Sequence, residues 1–101
     1  MGIINFIITS GTEEHVFNKN TFKYMYTSYS SGDTGSIYIY FQAENNLIDH
    51  DTITLTVNKY FMPKVVKDIA EKLNNKGFHE IRYKQSSGVY RDVTNITYTA
   101  G

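Results

Sequence analysis

The 101-residue chain contains no cysteine and no tryptophan, and Pro63 is its single proline. Without cysteine, a disulfide framework and cysteine-ligated zinc sites are excluded. The formal net charge is zero, so the chain as a whole lacks the excess of positive charge that attracts nucleic acid. Its stability therefore depends on an apolar core, and a nucleic-acid partner is disfavoured.

Long apolar segments are also missing. The apolar stretch at residues 3–8 is interrupted by Asn5 and has no basic residue before it. It is too short for a membrane span or for the apolar part of a signal peptide, so we interpret it as the first strand. We expect no membrane partner and a soluble, cytoplasmic protein.

The chain does contain enough apolar material for one core. Hydrophobic residues make up 41% and charged residues 20%, and these values are typical of a globular protein rather than of a disordered one. A chain of this length buries a single core, so we predict one domain over residues 1–101.

The clearest strand pattern lies in residues 52–58. Ile53, Leu55 and Val57 occupy alternate positions and are separated by threonines, so they share one face of an extended chain. This alternation predicts an antiparallel strand with one buried face.

A helix is predicted to follow this strand, at about residues 63–76. Pro63 suits the first turn of a helix, where a missing N–H costs no hydrogen bond, and Gly77 suits the turn that ends the helix. Apolar residues at helical spacing predict one stripe that faces the core, formed by Met62, Val66, Ile69, Ala70 and Leu73.

The aromatic segment before the glycine-rich stretch also favours a strand. Phe22, Tyr24 and Tyr26 alternate with their neighbours and would share one face. A single helical turn at residues 20–26 is the alternative.

The remaining segments predict two hairpins. Serine and glycine in residues 28–36 predict a hairpin tip, and the alternation of residues 37–41 predicts a central strand. Residues 80–84 and 89–99 flank a turn signal, so we predict a C-terminal β-hairpin with a bulge near Thr94-Asn95, where the apolar parity changes. These elements predict a β-rich α+β fold, either a small antiparallel barrel of the SH3-like or Sm-like kind or a strongly twisted sheet.

Charge is unevenly placed along the chain. Residues 1–58 carry two lysines against six carboxylates, a net −4, and residues 59–101 carry eight basic side chains against four carboxylates, a net +4. The halves either neutralise each other within the fold or across a homo-oligomer interface, or they present a basic helical face to an anionic partner.

Asp33-Thr34-Gly35 has the sequence of the catalytic tripeptide of aspartic proteases. That chemistry needs two such carboxylates sharing a proton at a dimer axis. A serine- and glycine-rich stretch precedes the tripeptide here, instead of an apolar strand. A glycine-rich turn is therefore favoured, and an aspartic-type peptidase is a distant alternative.

Asp49-His50-Asp51 carries side chains that bind metals. Adjacent residues of an extended chain point to opposite faces, so the three do not converge on one ion, and we predict a loop. No pattern indicates a nucleophile or a phosphate-binding loop. We predict no catalytic, metal or cofactor residues and no enzymatic activity.

The nine tyrosines are the most unusual feature of the composition. Tyr38 and Tyr40 share one face of their strand, where they would stack on the bases of single-stranded nucleic acid. No lysine or arginine occurs between Lys23 and Lys59, however, so the phosphates would lack counter charges. Burial of the tyrosines at a subunit interface is therefore favoured.

Over residues 3–73, a strand, a Gly-Thr-Glu-Glu turn, a Val-Phe-Asn-Lys-Asn segment, an aromatic strand, a glycine-rich tip, an Ile-Tyr-Ile-Tyr-Phe strand, a threonine strand and a helix follow one another. This order resembles that of small flagellar-operon proteins of the FlbD type. The resemblance implies a small, strongly bent antiparallel barrel. The Asn-, Tyr- and Thr-rich composition resembles that of small uncharacterised phage proteins, which implies a virion location as the alternative to the cytoplasm.

A sheet protein of this size with one helix leaves strand edges and sheet faces uncovered, which favours self-association. We predict a non-catalytic homo-oligomeric assembly or binding module, most simply a two-fold dimer. Binding of single-stranded nucleic acid through the tyrosine-bearing sheet face is the alternative. The predicted interface residues are Tyr38, Tyr40, Lys64, Lys67 and Arg82.

Overall fold

The computed structural model describes residues 2–8, 13–29, 32–43, 50–82 and 88–101. Within these ranges it contains seven strands, one α-helix and three short 3₁₀ helices. The 3₁₀ helices are Lys19–Thr21, Lys59–Phe61 and Val89–Asp92. The longer elements are β1 (Gly2–Ile7), β2 (Glu14–Asn18), β3 (Phe22–Tyr29), β4 (Thr34–Gln42), β5 (His50–Asn58), α1 (Met62–Asn74), β6 (Gly77–Ile81) and β7 (Val93–Thr99).

The strands form two sheets. The smaller sheet has the order β2-β1-β6, and the larger has the order β3-β4-β5-β7. Neighbours are antiparallel except β1 and β6, which pair in parallel. The predicted β-rich α+β fold is confirmed. The predicted barrel is wrong for the described part of the chain, and so is the prediction that every strand pair is antiparallel.

The predicted C-terminal hairpin is also wrong. β6 pairs with β1, whereas β7 pairs with β5 in the other sheet. The predicted arm at residues 80–84 overlaps β6 only at Glu80 and Ile81, and the arm at residues 89–99 contains β7 after a 3₁₀ helix. Local alternation carries no information on which strand each one joins. β6 joins the smaller sheet, where Ile81 is fully buried in the core.

α1 begins at Met62 and ends at Asn74, close to the predicted bounds. The Asn75 N–H donates to the Glu71 carbonyl oxygen at 3.1 Å, and Gly77 then takes a positive φ of 101° that turns the chain into β6. The apolar stripe is shifted from the predicted one. Met62, Val65 and Ile69 are its buried residues, whereas Val66, Ala70 and Leu73 are half-buried.

β-bulges at two places change which face of the sheet the following side chains point to. In β3, Phe22 pairs with Phe41 and Tyr24 pairs with Tyr40, so Lys23 is an extra residue. Phe22 therefore packs against the core on the face opposite Tyr24, and the prediction that they share a face is wrong.

The bulge predicted in the last strand is confirmed. Val93 pairs with Val57 and Asn95 pairs with Thr56, which leaves Thr94 as the extra residue. This extra residue allows both Val93 and Ile96 to be buried.

One core lies between the inner face of the larger sheet, the smaller sheet and α1. The rings of Phe17 and Phe41 stack at 4.1 Å between the two sheets. β4 has a partner on each side, so its prediction as a central strand is confirmed. The fully buried side chains include Ile4, Phe6, Ile37, Ile39, Phe41, Ile53, Leu55, Val57, Val65 and Ile69.

Candidate functional site

The second face of the larger sheet points away from this core. On β4 and β5 every second residue is fully buried, so the residues between them point to the other side. None of the paired residues of this second face is lysine, arginine, aspartate or glutamate, and Lys23, the exposed extra residue of the β3 bulge, adjoins the face at its edge. We call this surface the tyrosine face; it consists of Tyr24, Tyr26, Ser28, Thr34, Ser36, Tyr38, Tyr40, Gln42, His50, Thr52, Thr54, Thr56, Asn58, Asn95, Thr97 and Thr99.

Four tyrosines of β3 and β4 form a continuous stack. Cross-strand pairing places Tyr24 beside Tyr40 and Tyr26 beside Tyr38, with ring centroids 4.6 and 4.9 Å apart and nearly parallel planes. The rings of Tyr26 and Tyr40 are 5.8 Å apart at an interplanar angle of 7°. We call this stack the tyrosine ridge, in the order Tyr38, Tyr26, Tyr40 and Tyr24.

The rings of the ridge use most of their flat faces on one another. Tyr24 and Tyr26 are nevertheless 49% and 46% exposed, so ring edges and hydroxyl groups are what the ridge presents to solvent. The His50 imidazole lies beside the Tyr24 end of the ridge, where it meets the Tyr40 ring edge to face at 4.5 Å and the Tyr24 ring at 6.4 Å. The ridge is therefore amphipathic and pre-ordered.

A hydrogen bond joins the two inner rings of the ridge. The Tyr40 hydroxyl donates to the Tyr26 hydroxyl at 3.4 Å. This bond, followed by burial, raises the pKa of Tyr40 to about 12. The Tyr40 phenol therefore stays protonated and neutral at any physiological pH.

The other half of the tyrosine face is built from short side chains. Thr52, Thr54 and Thr56 of β5 are half-buried beside Thr97 and Thr99 of β7. We call these five residues the threonine trough. Ridge and trough lie side by side in shared cross-strand rows, of which Tyr26, Tyr38, Thr54 and Thr97 form the central one.

The basic residues predicted for the interface lie elsewhere. Lys64 and Lys67 are exposed on α1, which packs on the opposite side of the sheet, beside a depression of about 240 Å³. Arg82 follows β6, and its Nε lies 2.6 Å from Glu80 Oε2. The structure thus brings Tyr38 and Tyr40 together and separates them from the three basic residues.

Sequence reasoning missed Tyr24, Tyr26 and His50 as members of this surface. The alternation of Tyr24 and Tyr26 was visible, but their register against Tyr38 and Tyr40 was not. That register depends on the bulge at Lys23.

The Asp33-Thr34-Gly35 tripeptide lies where β4 begins. The Asp33 carbonyl oxygen accepts a hydrogen bond from the Lys59 N–H at 2.8 Å, and its side chain belongs to an exposed residue. Gly35 is buried so closely against Met62 that a Cβ at this position would overlap the Met62 side chain. The tripeptide thus packs the start of β4 against Lys59 and against Met62 at the start of α1.

The metal-binding side chains near residue 50 diverge. Asp49 lies outside the described residues. His50 points to the tyrosine face, whereas Asp51 pairs with Phe41 on the other face and accepts a hydrogen bond from the Gly101 N–H at 3.0 Å. Across the described ranges, no three histidine, aspartate or glutamate side chains converge on a point that could hold a metal ion.

A second polar cluster lies beside the C-terminal end of α1. Lys19 Nζ donates to the Asn75 carbonyl oxygen at 2.7 Å and contacts His79 Nδ1 at 2.5 Å. Burial, then the charges of Lys19 and Lys72, lower the pKa of His79. Burial alone would raise the pKa of Asp68, but the hydrogen bond from Lys72 at 2.6 Å, the Tyr90 hydroxyl and the charges of Lys72 and His79 together outweigh it, so this pKa lies below its usual value. The cluster ties α1 to β6 and to the segment before β3.

Comparisons with protein-family models, curated proteins and solved structures gave no match for this chain. The only α-helix of the described ranges, α1, does not have the length and apolar character that crossing a membrane requires. The functional interpretation therefore rests on the tyrosine face itself.

Proposed function

We propose that this protein is a non-catalytic assembly module that self-associates through the tyrosine face. The observation that carries the proposal is the ridge of four stacked tyrosines on a sheet face that points away from the core, where Tyr24 and Tyr26 remain about half exposed. Tyrosine is enriched at protein interfaces because its ring can be buried while its hydroxyl finds a hydrogen-bond partner.

Single-stranded nucleic acid is a weaker second candidate. A base stacks on a free ring face, and in the tyrosine ridge the inner ring faces are already occupied by neighbouring rings. Lys23, at the edge of the tyrosine face, is the only lysine or arginine in β3, β4, β5 and β7, so most phosphates along the face would lack a counter charge. Association with another protein needs neither a free ring face nor positive charge on the tyrosine face.

A second copy of the chain is the partner with the best match. A charged partner surface would lose its hydration against an uncharged face without gaining an ion pair, whereas the tyrosine face has no charge of its own to desolvate. Self-association through the edge of β4 is excluded, because β3 and β5 cover both of its edges. The proposal therefore rests on the exposed face instead.

Several finer statements stay predictions. They are the SH3-like or Sm-like kind of fold, the likeness to FlbD-type proteins, and a phage origin with a virion location. The aspartic-type peptidase stays a distant alternative, and a cytoplasmic location is the simpler expectation.

Replacement of a ridge tyrosine by lysine tests the proposal. Tyr40→Lys places two buried ammonium groups in a two-fold interface, so we expect a dimer to become a monomer in sedimentation velocity with an unchanged circular dichroism spectrum. Tyr60→Lys is the matched control, since Tyr60 is 72% exposed and lies outside the tyrosine face. Its dimer should persist.

Two outcomes would contradict the proposal. If both variants kept the mass of the wild type, the interface would lie elsewhere. If the wild type were a monomer that bound labelled single-stranded DNA in fluorescence anisotropy, with an affinity that fell steeply with salt, the second candidate would replace the first.

A further inference from the structure

Resting on the proposed function, we infer the geometry of the dimer: the tyrosine ridge of each copy packs into the threonine trough of the other. The two-fold axis then runs parallel to the strands, between β4 and β5. The chain would be complementary to itself, as a two-fold interface requires.

The order of the strands carries this inference. The ridge lies on β3 and β4, and the trough lies on β5 and β7. A two-fold axis along the strands places β3 over β7 and β4 over β5 of the partner, so tall side chains meet short ones. An axis across the strands would place ridge on ridge and leave a gap between the two troughs.

The size of the face also favours interdigitation. Four strands about 4.8 Å apart, with about eight residues at about 3.3 Å each, make a flat area on the order of 500 Å². A stable interface buries about 800 Å² on each partner. A ridge that enters a trough buries the sides of its rings as well as their edges, which a flat contact would not.

The chemistry of the two surfaces is compatible. Threonine methyl groups can pack against ring edges, and threonine hydroxyls can exchange hydrogen bonds with phenol hydroxyls. His50 lies at the end of the ridge rather than at its centre, since it pairs with Gln42 at the last residue of β4. The central row, where the axis passes, contains only tyrosine and threonine.

Single cysteines can test this geometry, because the chain has none of its own. Tyr26 and Thr97 are the outer members of the central row. In the inferred dimer, Tyr26 of one copy lies over Thr97 of the other, across the roughly 10 Å between stacked sheets. The two copies of Tyr26 are separated sideways by three strand spacings, about 14 Å.

The experiment treats Tyr26→Cys, Thr97→Cys and their mixture with a short bis-maleimide, after dilution and reconcentration to exchange subunits. We expect a covalent dimer in the mixture and little in either variant alone. Tyr60→Cys is the control and should not be cross-linked alone or with either variant, since Tyr60 lies outside the tyrosine face.

The other outcomes separate the two claims. Cross-linking of Tyr26→Cys alone would indicate ridge-on-ridge packing, which overturns this geometry and leaves the proposed function standing. If the Tyr26→Cys mixture loses the dimer, Ser28→Cys and Asn95→Cys repeat the test, because they are the outer members of the neighbouring row and leave the ridge intact. A cysteine mixture that sediments as a dimer but gives no cross-link would overturn this geometry, and a wild-type monomer would overturn both claims.

Discussion

Lys19 is a charged side chain in a buried position, with 8% of its surface exposed. Its ammonium group has the Asn75 carbonyl oxygen and His79 Nδ1 as partners. A buried charge is tolerated where such partners replace its lost water, but here the imidazole must be neutral to accept the hydrogen bond. The charge state of His79 is therefore linked to the Lys19 hydrogen bonds that join β6 to the residue after α1.

Acid should weaken the folded state through His79. Folding lowers its pKa, so below about pH 6.5 the unfolded chain takes up the proton first. The stabilisation is complete above the unfolded pKa and is lost as the pH falls below it, by no more than about 1.4 kcal/mol per pH unit for one group. Urea unfolding between about pH 7.5 and about pH 5.5 measures this loss.

The matched variants are His79→Gln and His50→Gln. His79→Gln should flatten the dependence of the unfolding free energy on pH. His50→Gln should retain it, because His50 contacts Tyr40 on the tyrosine face and is not a partner of Lys19. Equal slopes for the wild type and His79→Gln would show that His79 is not the group responsible.

Helix α1 shows that a periodic sequence pattern predicts the bounds of a helix better than it predicts which residues are buried. The sequence predicted the bounds of the helix within about two residues. It placed Val66 in the buried stripe, although Val65 is the fully buried residue and Val66 is half-buried. Two adjacent valines fit two overlapping stripes, and only the position of the sheets decides between them.

The shifted stripe predicts which of three substitutions on α1 destabilises the protein most. Val65→Asp should lower the free energy of unfolding by several kcal/mol, because it places a carboxylate in the core, and Val66→Asp should cost less. Lys67→Asp, on the exposed side, should change it by about 0.5 kcal/mol or less. Thermal melts of the three variants check this order, and an equal or larger loss for Val66→Asp would restore the original stripe.

Strand positions were predictable from the sequence, but strand partners were not. Alternation found the middle of β5 and β4, and the parity change revealed the bulge at Thr94, but the predicted tip at residues 28–36 is wrong at both ends, because β3 extends to Tyr29 and β4 begins at Thr34. Nothing local indicated that β6 pairs with β1 in parallel, since that pairing brings together residues far apart in the chain. For the same reason, the sequence did not predict that Tyr24 and Tyr26 belong to the tyrosine ridge, because Tyr24 pairs with Tyr40 only through the bulge at Lys23.

At the scale of the whole molecule, the unequal charge of the two halves does not hold the fold together through ion pairs. Among the described residues, each ion pair joins side chains of the same half, such as Lys72 with Asp68 and Arg82 with Glu80. The core is instead apolar and shared by both sheets and α1. What this arrangement leaves outside is the uncharged tyrosine face.

Light scattering of the wild type over a hundredfold dilution tests the central claim most directly. If the tyrosine face is a self-association surface, the mass should be twice 11.6 kDa at high concentration and should fall toward 11.6 kDa on dilution. Tyr40→Lys should give the lower mass throughout. A wild type that stays at 11.6 kDa up to millimolar concentration would contradict the account.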